Sequence, residues 1–540
     1  MRAIVSGIIL PGTFAALAFA QTADLAVTNA RIYTVNPKQP RASAIAVRAG
    51  RILAVGDDVS RYVGPATKTI DAKGETVIPG FIDSHGHVRG LGDMLANLDL
   101  RGITSEREIV EKVRSAAKQH KPGEWILGRA WDQNLWAGQQ FPTAVAITNA
   151  APDNPVSLER VDGHALWVNR KALDIADINP KTPDPAGGKI LRDAKGAPTG
   201  VLIDRAQQMV SRKIPSPDPA QVEQTLLRAT QQLANVGITT VHDAGVSYAD
   251  IDGYRSLIRK GQLPIHIYAM ILYPLAPPDK PEIGDYLTVR AVKLVSDGAL
   301  GSRGAAMIEP YTDDPGNRGL LILDRETIRT AAAQALAKGF QVNTHAIGDR
   351  ANRTVLEAYA DVLKGPNDKR FRIEHAQIVA PEDFAKFKQY SVIASMQATH
   401  ATSDMLWAAD RVGPERIKGG YAWQTFLHLG VHVPNGSDFP VENPNPLLGF
   451  YAAVTRQKLD GTPAGGWFPN QRMSREEALR SWTIEGAYAA FEEDRKGSLE
   501  PGKMADFVIL SGDIMMMPVK GIPETRVMTT VASGKIVFQR

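Results

Sequence analysis

The sequence predicts an α/β protein: a (β/α)8 TIM barrel, a small β-sandwich built from both chain ends, and a subdomain inserted after the first barrel strand. Three observations predict it. The middle of the 540-residue chain alternates short β-branched runs with amphipathic helical stretches, the pattern of a parallel sheet wrapped by helices. The β-branched runs number eight, which is the count that closes a barrel. Both ends carry short alternating strands punctuated by glycine, and neither end is long enough to bury a core alone.

Composition narrows the function. A hydrophobic fraction of 44% with 22% charged residues is an ordinary globular balance, which excludes a disordered, collagen-like or coiled-coil chain. The formal net charge of +4 is spread without a Lys/Arg run, so nucleic acid and anionic membranes are not expected partners. Cysteine is absent, which excludes disulfides, thiolate zinc sites and cysteine nucleophiles together. Any metal must then be held by His, carboxylate or a less usual ligand.

Residues 1–20 read as a signal peptide. Arg2 precedes an apolar stretch from Ala3 that ends Leu17-Ala18-Phe19-Ala20, an A-x-A site, and Pro11-Gly12 interrupts it as a spanning helix. No later apolar run is long enough to cross a bilayer, so the reading is a bacterial periplasmic or secreted protein without stable membrane insertion after cleavage. The runs Leu25–Val35, Ile45–Gly56 and Lys68–Pro79, separated by turn signals such as Asp71-Ala72-Lys73-Gly74, predict antiparallel strands. Asp506–Leu510 and Val527–Phe538 return to the same style. Residues 21–80 and 497–540 are therefore expected to form one composite β-sandwich around a barrel of residues 81–496.

The barrel strands are expected at Phe81–Asp83, Ile238–His242, Ile265–Ile271, Val289–Ser296, Phe340–His345, Arg372–His375, Val392–Gln397 and Val431–Ser437. Helices fall between them, such as Pro219–Val236 ended by Gly237 and Asp324–Lys338 ended by Gly339. About 150 residues separate the first two strands, too many for a crossover, so residues 100–232 or thereabouts are an insertion. It opens with a helix capped by Ser105 and Glu108.

Chemistry gathers at the strand ends. Pro79-Gly80-Phe81-Ile82-Asp83-Ser84-His85-Gly86-His87 places two histidines two apart after an apolar run, on one side of an extended strand where both reach one metal. His345 ends the fifth strand, His375 the sixth, and Asp438 follows the eighth. Barrel enzymes place their catalytic groups at these C-terminal ends, so the set predicts a divalent metal site. Lys293 sits inside the fourth strand. A free ammonium has no lone pair, so Lys293 is either a counter-charge for a carboxylate or a carbamate able to bridge two metals. Asp83 is a candidate to orient a ligand imidazole, and His242 a candidate for a supporting place behind the ligands. His120, His266, His428 and His432 are read as surface or packing residues.

These segments resemble the metal-dependent amidohydrolase superfamily, and within it the YtcJ-like (amidohydrolase 3) branch that includes N-substituted formamide deformylases. The matching runs are Val77–His87, Trp125–Gln133, Asp162-Gly163-His164-Ala165, Thr240–Gly245, Lys293–Arg303, Asn343–Ala351, Ile373–Gln377 and Gly436–Val441. Nearly the whole chain after the leader is covered. One departure is Ala398, in Ser395-Met396-Gln397-Ala398-Thr399-His400, where the branch usually has proline.

The resemblance implies a barrel with a binuclear centre: His85 and His87 on one metal, His345 and His375 on the second, and N6-carboxylated Lys293 as the bridge. Asp438 would be a ligand of the first metal and the proton shuttle for attack by metal-bridged hydroxide. Two zinc ions are expected, with manganese, iron or nickel suited to the same ligands. His400 is a further catalytic candidate, and His164, Arg303 and Trp131 are substrate candidates. Asp349, just beyond the fifth strand, is either a loop anchor or a substrate contact. Four tryptophans of the insertion, Trp125, Trp131, Trp136 and Trp167, would either line the barrel mouth or form the insertion's own core. The function expected is hydrolysis of a non-peptide carbon–nitrogen bond in a small molecule, an amide or an N-formyl or N-acyl amine. The same centre serves a cyclic amide, a carbamate, an ester or an aminated ring, and a non-catalytic regulatory or binding protein is the rival from another class. Oligomeric state is left open, a homodimer included.

Overall fold

The computed structural model describes residues 22–160, 165–185 and 188–540, so the leader of residues 1–20 lies outside the described residues. Seven parallel strands follow one another around the barrel: β1 (Phe81–Gly86), β2 (Ile238–Val246), β3 (His266–Leu272), β4 (Leu287–Val295), β5 (Gln341–Ala346), β6 (Arg372–His375) and β7 (Ile393–Ser395). Their outward side chains, among them Val241, Ile267, Val292, Val342 and Ile373, pack with the surrounding helices into the largest buried cluster of the described residues. The helix Pro219–Asn235 between β1 and β2 starts at a full capping box, with Asp218 and Gln221 each bonded to the other's backbone amide.

The eighth expected strand is a correction. Val431–Ser437 lies between β7 and β1 but does not form a regular strand. Pro434 has no N–H to give, which breaks the ladder. The ring closes all the same. Ala394 and Met396 donate their amides to the His432 and Pro434 carbonyls, and Gly436 donates back to Met396. On the other side Ser84 donates to Asn435 at 3.0 Å and Asp438 to His85 at 2.7 Å. Asp83 reinforces this seam, because its carboxylate accepts from the Ser437 hydroxyl at 2.6 Å and from the Ser437 and His85 amides.

The floor of the barrel is polar and cross-linked by hydrogen bonds. Tyr268 donates to Gln341 Oε1 at 2.9 Å, and Gln341 and Arg372 both donate to the carbonyl of Ala489, at the end of the helix Ile484–Ala489. That helix seals the end of the barrel opposite the strand C-termini.

The two chain ends share a sheet. Phe507–Leu510 pairs antiparallel with Thr76–Pro79, within a six-stranded sheet that also holds Val527–Ala532, Lys535–Gln539, Arg31–Tyr33 and Arg41–Ala42. A four-stranded sheet of Leu25–Thr28, Ala44–Arg48, Arg51–Gly56 and Lys68–Asp71 packs on it. Their common core mixes Val27, Ile45 and Val77 with Phe507, Ile509 and Val531.

Between β1 and β2 a separate sheet of six strands, Leu98–Asp99 to Pro198–Asp204, forms its own core with helix Glu106–Ala117. Trp131, Trp136 and Trp167 cluster there with ring centroids 6.0–6.1 Å apart, Trp167 edge-on to the other two. Trp131 is 0% exposed and its Nε1 donates to the Leu158 carbonyl. The expectation that Trp131 touches substrate is therefore corrected: its ring is consumed by the insertion's own packing.

Gly436 is a tight point of the seam, where a Cβ would stand 2.6 Å from the His85 backbone nitrogen and 2.9 Å from Asp83. Gly436→Ala should therefore cost about 1–3 kcal/mol through overpacking, read as a lower urea midpoint of unfolding. An unchanged midpoint would show that the seam yields.

Candidate metal centre

The strand C-termini bring His85, His87, His375, His400 and Asp438 together. Two sets of three, His85–His87–Asp438 and His375–His400–Asp438, each hold ligand atoms within 4.8 Å of one another. Asp438 Oδ1 lies 3.1 Å from His87 Nε2 and 3.5 Å from His85 Nε2, and its Oδ2 lies 3.6 Å from His400 Nε2.

Local backbone aims these groups. Alternation along β6 turns Arg372 and Glu374 into the barrel, so His375 would point outward if the strand continued. It does not continue. His375 and Ala376 take φ of +75° and +42°, which swings the imidazole to a ring–ring distance of 4.8 Å from His85. Asp438 likewise has φ of +58°. Left-handed backbone at non-glycine residues is strained, and these residues carry it next to the chemistry.

The hydrogen bonds decide which ring nitrogens face the centre. His85 Nδ1 lies 2.6 Å from a Glu374 carboxylate oxygen, which can only accept, so Nδ1 carries the proton and Nε2 presents its lone pair. His375 Nδ1 lies 2.7 Å from Gln397 Oε1, with the same result. Among the described residues, Asp438 Oδ1, His345 Nε2 and His400 Nε2 are buried without a hydrogen-bond partner. Buried polar atoms left without partners are costly, and a cation placed among them would satisfy them. The donor set fits divalent metal.

Electrostatics agree. Burial, and then the nearby Lys293, hold the His85 imidazole well below its ordinary pKa. Burial and His345 do the same for His375, so both are neutral and able to ligate. For Asp438 burial opposes ionisation, yet His87 beside it, with His85, His375 and His400, outweighs burial and holds the carboxyl well below the usual range. Lys293 is buried, its Nζ 3.2 Å from His85 Nε2, and no ion pair to it is found among the described residues. Burial lowers its pKa against the pull of Glu374, Asp438 and Asp243.

The remaining expectations divide. His345 lies close, its ring 4.6 Å from that of His375, but its Nε2 is 3.4 Å from Asp297, and His400 takes the third place of the second set. Asp297 also accepts from the Ala306, Ile347 and Gly348 amides. His400 stands on the helix Ala398–Asp404, beyond β7. The Ala398 amide donates to Asn435 Oδ1 at 3.1 Å, a bond that proline could not make. Asp404, bonded to Tyr421 and Gln377, anchors the other end of that helix.

Asp83 corrects its expectation, since it binds backbone and Ser437 and meets no imidazole. Arg303 directs two guanidinium nitrogens to Asp313 on its own loop, and Asp349 accepts from the Ile308 amide, so both serve as loop anchors. His164 lies outside the described residues. His242 accepts from Arg372 at 2.9 Å beneath the centre. Sequence reasoning missed Glu374, Gln397 and Asp297; the signal for Glu374 was its place beside His375 in Ile373-Glu374-His375.

Residues 68–538 match the Amidohydrolase family. Protein LONG AFTER FAR-RED 3 of Arabidopsis thaliana is 37% identical over 91% of this chain and 87% of its own length. YtcJ of Bacillus subtilis, a provisionally named amidohydrolase, is 32% identical over 94% and 98%. An N-substituted formamide deformylase of Arthrobacter pascens is 27% identical over 96% and 99%. An uncharacterized metal-dependent hydrolase from Pyrococcus horikoshii superposes with a TM-score of 0.78 at 28% identity, covering 92% of this chain and 99% of that one.

Burial, and then Arg372, also hold His242 well below the ordinary imidazole pKa. An imidazole kept neutral in the fold costs nothing above about pH 6.5, where the unfolded chain is neutral too, and costs stability as pH falls below that value. The metal-free protein should therefore unfold at a steady urea midpoint from pH 8 to 7 and at a falling one from pH 6.5 to 5. His242→Gln should flatten that fall by about 1.4 kcal/mol per pH unit. An identical slope in the variant would show that His242 takes no part.

Proposed function

Since this chain belongs to the amidohydrolase family, we propose that it hydrolyses a non-peptide carbon–nitrogen bond of a small molecule, an amide or an N-formyl or N-acyl amine. Its place as a metal-dependent hydrolase of that family is the premise; the bond and the substrate are the proposal. The observation that carries it is the convergence of the His85, His87, His375 and His400 imidazoles on the Asp438 carboxylate at the barrel mouth. Likeness to an N-substituted formamide deformylase along almost its full length supports the choice of bond.

His85, His87, His345, His375 and Asp438 would hold two divalent ions, zinc in our reading, with Lys293 between them as a carbamate. Such ions, when bound, acidify water and polarise a carbonyl. Forming the carbamate joins the neutral Lys293 nitrogen to carbon dioxide and releases one proton. It replaces a buried, unpaired amine with an anion suited to cations.

Asp438 does the proton work. Its carboxylate takes a proton from the attacking water and delivers it to the leaving nitrogen, so the amine departs neutral. His400, with Nε2 3.6 Å from Oδ2, is the further catalytic candidate beside that carboxylate. The strained backbone at Asp438 and His375 holds the geometry before substrate arrives. The leader pattern of residues 1–20 supports a periplasmic or secreted place for this reaction.

A panel of N-formyl and N-acyl amines, cyclic amides, carbamates, esters and aminated rings, assayed with the metal-loaded protein, tests the proposal. Release of amine with formate or another carboxylate is expected, and removal of metal by a chelator should abolish it until zinc or manganese is restored. Asp438→Asn should lower kcat about 10²–10⁴-fold. Turnover confined to esters or aminated rings would overturn the bond assignment. Full activity after stripping would overturn the metal chemistry.

A further inference from the structure

Glu374 has no part in the proton transfers above, and its surroundings suit a carboxylate poorly. The side chain is fully buried, Oε2 accepts from His85 Nδ1 at 2.6 Å, and Oε1 has no hydrogen-bond partner among the described residues. The guanidinium of Arg372 approaches Oε1 only to 3.9 Å. That guanidinium donates elsewhere, to His242 Nδ1 at 2.9 Å and to the Ala489 carbonyl at 2.6 Å. A buried carboxylate with one hydrogen bond and counter-charges only at a distance, Arg372 at 3.9 Å and Lys293 beyond hydrogen-bond reach, is a poor way to stabilise a fold, because desolvation outweighs what such contacts return. Its single good bond goes to a ligand imidazole.

We propose that Glu374 is the positioning residue of the metal centre, fixing His85 in the tautomer and orientation that ligate. The proposal rests on the metal-hydrolase reading above. His85 has two nitrogens, and its ring would ligate from Nε2 only if the proton stays on Nδ1. Glu374 enforces that: an unprotonated Nδ1 would set its lone pair against a carboxylate lone pair at 2.6 Å. The negative charge also makes Nε2 a stronger donor toward a cation, as carboxylate partners of metal-bound imidazoles do. Arg372, itself completely buried and tied to the barrel floor through Ala489, fixes the depth at which Glu374 sits. The centre is thus joined to the sealed end of the barrel by a column of Ala489, Arg372, Glu374 and His85.

The test measures zinc affinity of the metal-stripped protein by competition with a chelator, alongside thermal unfolding of the same stripped protein. Glu374→Ala should weaken zinc binding about 10–100-fold, the usual effect of losing such a partner. The unfolding midpoint of the stripped protein should not fall in step. Glu374→Gln, which keeps an acceptor at Nδ1, should recover part of the lost affinity, a rescue that a merely structural role would not produce. If Glu374→Ala leaves Arg372 unpaired and fails to fold, the double variant Arg372→Met/Glu374→Met removes both buried charges together and should show the same weakening. Zinc binding as tight as in the parent, in whichever of these two variants folds, overturns the proposal. A parent that takes up no zinc fails differently, since it removes the metal reading on which the proposal stands.

Discussion

The crowding of buried polar atoms that lack partners is the constraint around which this protein is built. Asp438 Oδ1 sits 3.1 and 3.5 Å from two imidazole nitrogens, and His345 and His400 bring further buried nitrogens that no hydrogen bond satisfies. Left to itself such a cluster would open toward water. It stays shut because its members are carried on separate strands of one closed ring, and because His375 and Asp438 are locked into left-handed backbone by the packing on either side. The rigidity of the barrel and the reactivity of the centre are one property seen twice.

The seam between Val431–Asp438 and β1 shows how this is managed. A regular eighth strand would continue its alternation past Ser437 and direct Asp438 by periodicity alone. Pro434 interrupts the ladder, and Asp83 ties the segment to β1 through Ser437. Asp438 is thereby placed by specific bonds, its own amide on the His85 carbonyl. Acid and imidazole are fixed to each other through backbone as well as through side chains.

Much of this was legible in the sequence. Period-two spacing placed His85 and His87 together, and the ends of apolar runs marked His375 and Asp438, because strands impose a direction that can be read from alternation. The barrel itself followed from the alternation of runs and helices. Other features were not legible, for identifiable reasons. Val431–Ser437 has a strand's composition, and only the missing amide of Pro434 tells against it. Trp131 is equally at home in a core or a binding face, and packing with Trp136 and Trp167 decides. Glu374 looked like an ordinary strand residue, since what it bonds lies 289 positions away. Asp83 suggested an imidazole partner by proximity in sequence, yet its carboxylate turned to the neighbouring segment.

The shared sheet of the two chain ends has a consequence for how the molecule is made. Thr76–Pro79 emerges early and finds its antiparallel neighbour, Phe507–Leu510, only after about 430 further residues have been synthesised. Until then it is a bare hydrophobic edge, the kind that recruits other chains. Every truncated product that lacks Phe507–Leu510 keeps that edge open, so unwanted edge-to-edge pairing is a hazard of synthesis until the final strands are added.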